Sequence, residues 1–266
     1  MSAISRSPLA CAEFGHNVPA RPLGKDKHTN AKTEVDRSVY GVSLAYLKEA
    51  GGTKNMIIKP TALAAELVTI IDPTNKKAAG LMRVAKDAKN LSEATYLAGK
   101  FRDTKQRGVE AVNSPWAFGL FISKLTDLWV SITDVAKTVC REIMPLSARN
   151  ATILDLSSSG ATAVGMGLCI LEDGAKRQEA AENAVKDKAG QECYAAKITN
   201  SYLATGRNVC YLALGILGSA SVIAGLAVSQ MVTWSFAVGA LAFTLFGRFH
   251  EKMVVEKLAE QAGIKV

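Results

Sequence analysis

Apolar residues recur along most of this chain at helical spacing, and the breaks between runs fall on Gly, Pro, Ser and Asp. Val39, Val42 and Tyr46 lie on one face of VYGVSLAYLKEA, a short helix over Val39–Ala50 stopped by Gly51 and Gly52. Pro60 opens PTALAAELVTIID, helical until Asp72 and Pro73. A third helix is predicted from Asn75 to about Arg107. Leu81, Val84, Ala85, Ala88, Leu91, Leu97 and Phe101 form its contact stripe, and most lysines lie on its other face.

Ser114 and Pro115 make an N-cap and first-turn pair for the helix with the cleanest pattern. Phe118, Ile122, Leu125, Trp129, Ile132, Ala136, Val139 and Ile143 alternate in steps of four and three, an a/d seam that ends before Pro145. The seam fits the core of a helical bundle first, and a surface for a partner second. Lys124, Asp127 and Asp134 argue against this helix crossing a membrane.

Ala151–Leu171 holds 16 uncharged residues after Asp155, short of the ~20 that span a bilayer, and reads as a buried or interfacial helix. Gly165–Met166–Gly167 sits inside a helical pattern, so it reads as close helix packing and not as a nucleotide loop. Ser157–Ser159 lacks the glycines of a nucleophile elbow. From Glu172 to Thr205 the chain turns charged and Ala-rich, a solvated helix with a thin contact stripe.

Asn208 to Gly247 is 40 residues without a formal charge. At ~1.5 Å per residue this suits two helices across a ~30 Å hydrocarbon core. The reading is a transmembrane hairpin: Val209–Val228, a turn at Ser229 and Gln230, then Met231–Gly247 with Trp234 near the turn. Gly215 with Ser219, and Ser221 with Gly225, are small-residue pairs that let the two helices approach closely. Lys197 and Arg207 precede the hairpin and Arg248 and Lys252 follow it, placing both flanks on the cytosolic side.

Composition narrows the function classes. Charged residues make up 21% of the 266 and aromatics 6%, which favours an all-helical protein. The net charge of +8 suits nucleic acid or an anionic membrane face, but no RNP motif, zinc finger or aromatic-interleaved basic strip supports nucleic acid as a partner. Cys11, Cys140, Cys169, Cys193 and Cys210 are odd in number and scattered. His16, His28 and His250 lack metal spacing, so neither a disulfide framework nor a metal site is suggested. No nucleophile and base, paired carboxylates or cofactor motif stands at useful spacing, and a non-enzymatic role is expected. The polar start has no apolar run of the length a Sec signal needs.

The chain thus divides into a polar leader over 1–36, a helical domain over 37–205, a bilobed hydrophobic hairpin over 206–248 and an amphipathic tail helix over 249–266. The PTNKK start of a Lys/Ala helix (Pro73–Lys89), the run SGATAVGMGLCI (Ser159–Ile170), the charged stretch Glu172–Cys193 and the hydrophobic pair resemble the chlamydial inclusion membrane proteins. That resemblance implies type III secretion into the membrane of a host vacuole, with both termini in host cytosol. It also implies a non-enzymatic effector displaying helices to host proteins or to sister copies in a homo-oligomer. The competing reading is a soluble all-helical scaffold or lipid-binding bundle that buries the apolar hairpin at its centre.

Overall fold

The computed structural model describes residues 37–49, 51–143 and 146–264, and the 1–36 leader lies outside them. The protein is all-α, and no strand occurs among the described residues. The helices are α1 (Val39–Lys48), α2 (Lys59–Ile71), α3 (Lys76–Glu110), α4 (Pro115–Ile143), α5 (Ala148–Lys186), α6 (Gln191–Ala224), α7 (Gln230–His250) and α8 (Glu256–Ala262). A π-helical segment, Lys54–Ile58, leads into α2, and another, Glu251–Val255, joins α7 to α8.

Local chemistry sets most of these boundaries. Ser38 caps α1 by accepting from Gly41 N, Asn75 caps α3 from Ala78 N, Ser114 caps α4 from Ala117 N and Ser147 caps α5 from Asn150 N. Each cap satisfies an amide that the first helical turn leaves without an acceptor.

Several boundaries differ from the sequence reading. The charged stretch Glu172–Thr205, expected as one helix, is split: Glu172–Lys186 ends α5, and from Gln191 the chain shares one helix, α6, with the first half of the uncharged run, so the division at 205/206 falls inside α6. The hairpin turn comes earlier than Ser229–Gln230. Gly225 adopts φ +62°, a left-handed terminator that side-chain-bearing residues resist, and ends α6 at Ala224. Residues 225–229 then lead into α7.

Each helix from α2 to α7 packs against the next, and α2 also packs on α7, closing a ring. Inside sits an apolar cluster of Leu63, Val130, Met166, Tyr211, Leu214, Ala237, Ala240 and Leu241. The α5–α6 contact is the closest in the bundle: a Cβ on Gly215 would lie 2.7 Å from the Ala163 amide nitrogen and 2.9 Å from the Ser159 carbonyl oxygen. Gly215→Ala forces backbone apart and should lower stability by ~1–3 kcal/mol. Gly160 has nothing within 4 Å of an added Cβ, so Gly160→Ala should raise stability by up to ~1 kcal/mol through helix propensity. Thermal unfolding of the two variants in detergent micelles checks the opposite signs.

Candidate functional site

The a/d seam of α4 does not face the core. Phe118, Leu125, Trp129, Ile132 and Val139 are between 40% and 54% exposed, and Ile122 is half-buried. The buried face of α4 is instead the polar one: Ser123, Asp127, Ser131, Asp134 and Thr138, joined by Leu128, Val130 and Thr133. Most of the stripe expected to bury α3 is turned out in the same way, with Ala85 buried and Leu97 half-buried. Leu81, Val84, Leu91 and Phe101 are exposed, while Lys89, Glu93 and Thr104 are buried.

Charge pairing accounts for the inversion. Lys100 Nζ donates to Asp127 at 2.8 Å, to Ser131 Oγ at 2.7 Å and to Glu93 at 3.2 Å, while Ser131 Oγ donates to Glu93 at 3.1 Å. Lys54, from the π-helical segment before α2, also pairs with Glu93. Further along, Lys89 pairs with Asp134 at 3.3 Å, and Asn90 Nδ2 donates to Thr138 Oγ1 at 2.9 Å. A buried ion left alone costs several kcal/mol, so these complementary polar stripes face each other or both remain in water.

Three helices, Ala148–Lys186, Gln191–Ala224 and the continuous Gln230–Ala262, are long and apolar enough to cross a membrane. No more than 28% of the most apolar stretch of any of them is buried. Their outward faces carry Ile153, Val164 and Leu171 on α5, Val209, Ile216 and Ile223 on α6, and Met231, Val232 and Phe246 on α7, all exposed. Small hydroxyl side chains fill the inside of the same zone, where Ser158 and Thr162 are fully buried.

The small-residue pairs act differently from their expected role between the two hairpin helices. Gly215 packs on α5, Ser219 and Ser221 are half-buried, and Gly225 is exposed in the turn. The close approach of α6 to α7 comes at Gly206, where an added Cβ would lie 2.8 Å from the Phe243 ring, and at Gly239, 3.1 Å from Cys210 Sγ.

The uncharged zone ends on polar contacts. Asn208 Nδ2 donates to Asp173 at 2.8 Å, Ser201 Oγ donates to the Asp173 carbonyl at 2.8 Å, and Arg177 donates to Thr205 Oγ1 at 2.5 Å. Asp173 lies on the flank, two residues beyond Leu171. Burial pushes its carboxyl above the ordinary carboxylate range, opposed by Arg207 and Lys176. Among the described residues no group of three His, Cys, Asp or Glu could hold a metal ion. The described cysteines Cys140, Cys169, Cys193 and Cys210 are free.

No known family, curated protein or solved structure matches the chain.

Two outcomes follow from this geometry. Trp129→Ala, which in a core would cost ~3–5 kcal/mol, should cost less than ~1 kcal/mol from its half-exposed position. Lys100→Met, which leaves Asp127 without its lysine partner, should cost ~3–5 kcal/mol, with part recovered in the double variant Lys100→Met/Asp127→Leu. Denaturant unfolding of the set measures both. For Asp173, a folded pKa above the unfolded value means a contribution present at acid pH and lost as pH rises through the folded value. Asp173→Asn should therefore flatten the stability–pH curve just above the ordinary carboxylate range.

Proposed function

We propose that the chain is an integral membrane protein without enzymatic activity, anchored by α6 and α7 with α5 beside them, and displaying its charged helical parts to proteins on one side of the bilayer. One observation carries this reading: the most apolar stretches of α5, α6 and α7 leave at least 72% of their residues unburied, with large apolar side chains such as Val164, Ile216 and Ile223 among those left outside. In water that arrangement exposes a contiguous apolar surface, whereas hydrocarbon accepts it without penalty.

A soluble bundle that buries the hairpin is disfavoured by the same observation, since the remaining helices cover only one side of α6 and α7. The surfaces left for partners are α1, the Glu172–Arg207 stretch of α5 and α6, and α8. Arg248 pairs with Glu49 and Arg37 with Glu260, tying the two ends of α1 to the end of α7 and to α8. Delivery by a type III apparatus to a host vacuole membrane, with both ends in host cytosol, rests on the sequence resemblance to inclusion membrane proteins.

Alkaline carbonate extraction tests the anchoring: the wild type should stay in the membrane pellet, and its recovery as soluble protein would sink the reading. Ile216→Arg puts a charge on an outward position, 53% exposed, midway along the uncharged part of α6 and without touching the interior. At ~2.5–3.5 kcal/mol for a charge near a span centre, it should raise the soluble fraction.

A further inference from the structure

We infer that α4 is also a lipid-contacting helix, its Phe118–Val139 seam facing hydrocarbon and its four charges carried inward as ion pairs. This rests on the membrane reading above and extends it to a helix whose composition speaks against it.

The level of α4 in the bundle comes first. Ser123 Oγ lies 3.4 Å from Cys169 Sγ, and Lys137 pairs with Asp155 at 2.8 Å, so residues 123–137 run alongside the uncharged run Leu156–Leu171 of α5. Gly215 against Ser159 and Ala163 sets α6 at the same level, and Gly239 against Cys210 sets α7 there. If hydrocarbon surrounds the outer faces of α5, α6 and α7, it reaches the height of α4.

The surface of α4 comes second. From Pro115 to Cys140 its exposed residues are Pro115, Trp116, Phe118, Leu125, Trp129, Ile132 and Val139, with no charge among them. That is 26 residues, or ~39 Å, enough to cross ~30 Å of hydrocarbon. The charges in this span all turn inward: Asp127 to Lys100, Asp134 to Lys89, Lys137 to Asp155, and Lys124 toward Asp127 and Glu172. A water-exposed coiled-coil seam is flanked by charged e and g positions, which this face lacks. Inward, paired ionic groups with an apolar exterior are the arrangement that lipid imposes. An apolar crevice of about 300 Å³ between α4 and α5, lined by Pro115, Trp116, Gly119, Leu120, Leu168 and Leu171, continues the surface from one helix to the other.

The neighbouring helices continue the same belt. The exposed residues of α2 after its first turn are Ala64, Val68 and Ile71, and those of α3 between Leu91 and Phe101 are Leu91, Ala94, Thr95, Ala98 and Phe101. Exposed charge on α3 resumes at Arg102 and Lys105; Thr104 donates to the Lys124 carbonyl and Ser123 meets Cys169, so these two lie one to two turns short of Asp173, from where long side chains reach toward the headgroups. Parity agrees as well. Four crossings by α4 to α7 return the chain to the side where α4 began, whereas three would leave it opposite. The side of the α5–α6 connection then carries Lys176, Arg177 and Lys186 at the end of α5, Lys188 in the connection, and Lys197 and Arg207 in the first half of α6. The other side has Arg141 near the end of α4, Arg149 at the start of α5, Lys76 and Lys77 at the start of α3, and no basic residue in 225–229. This is the bias that fixes orientation.

The test places a photoreactive diazirine leucine analogue at Ile132, 40% exposed on α4, or at Ile216, 53% exposed on α6, in the full chain reconstituted into phosphatidylcholine vesicles. Mass spectrometry after irradiation identifies what each position captured. Phospholipid adducts at Ile132 at a yield matching Ile216 are expected. Lipid at Ile216 but water insertion at Ile132 would overturn the inference and leave the anchoring by α6 and α7 standing. Lipid at Ile216 with a crosslinked dimer at Ile132 would also overturn it, assigning the seam to a second copy of the chain. Lipid at neither position would defeat the membrane reading and this inference together.

Discussion

The burial of Lys100 between Asp127, Glu93 and Ser131 decides which way the first half of the bundle faces. Removing a lysine and two carboxylates from water is tolerable only when each finds its counterpart, and here α3 and α4 supply both partners, with Lys54 adding a second cation beside Glu93. Once those stripes meet, the a/d seam of α4 and most of the apolar stripe of α3 are left facing outward, with Leu128, Val130 and Ala85 the apolar residues that stay inside. The orientation of Trp129, and of the whole seam it belongs to, is a consequence of that ionic contact and not of any attraction between the seam and the core.

The second half of the bundle follows another rule. Between α5 and α6 the contact is made by backbone and small side chains, with Gly215 against Ser159 and Ala163, so the gain comes from close van der Waals fit. Large apolar side chains such as Ile216 and Ile223 are again left outside, while Met166, Leu214 and Leu241 fill the centre. Two mechanisms, ion pairing in α3–α4 and small-residue packing in α5–α7, both leave an apolar exterior.

Much of this was legible in the sequence and some of it was not. The all-helical class, the cap at Ser114, the start of a helix near Asn75 and the uncharged run all follow from local chemistry. The direction of the α4 seam does not, because an a/d spacing identifies an apolar face without saying what that face meets. The information was present in the reciprocal stripe: Asp127, Ser131, Asp134 and Thr138 recur at helical spacing too, matched on α3 by Lys89, Glu93 and Lys100. The turn comes before Ser229 because Gly225, whose small size equally suits helix packing, acts as a helix stop. The contact between Gly215 and α5 was hidden because small-residue spacing does not name its partner helix.

The helices α5 and α6 do not end where their uncharged stretches end. From Glu172 to Lys186 and from Gln191 to Arg207 they continue as a charged pair of 15 and 17 residues, or about 22–26 Å. Their connection is a tight loop in which Asp187 accepts from the amides of Ala189 and Gly190. Ile264, at the end of the helix that extends α7, reaches Gly190 as well. On a bilayer-anchored chain this is a three-helix stalk, rigid by its continuity with the anchor. Under the proposed anchoring it would lift the Asp187–Gly190 tip about 22–26 Å clear of the uncharged zone and hold a partner at the tip at a fixed standoff.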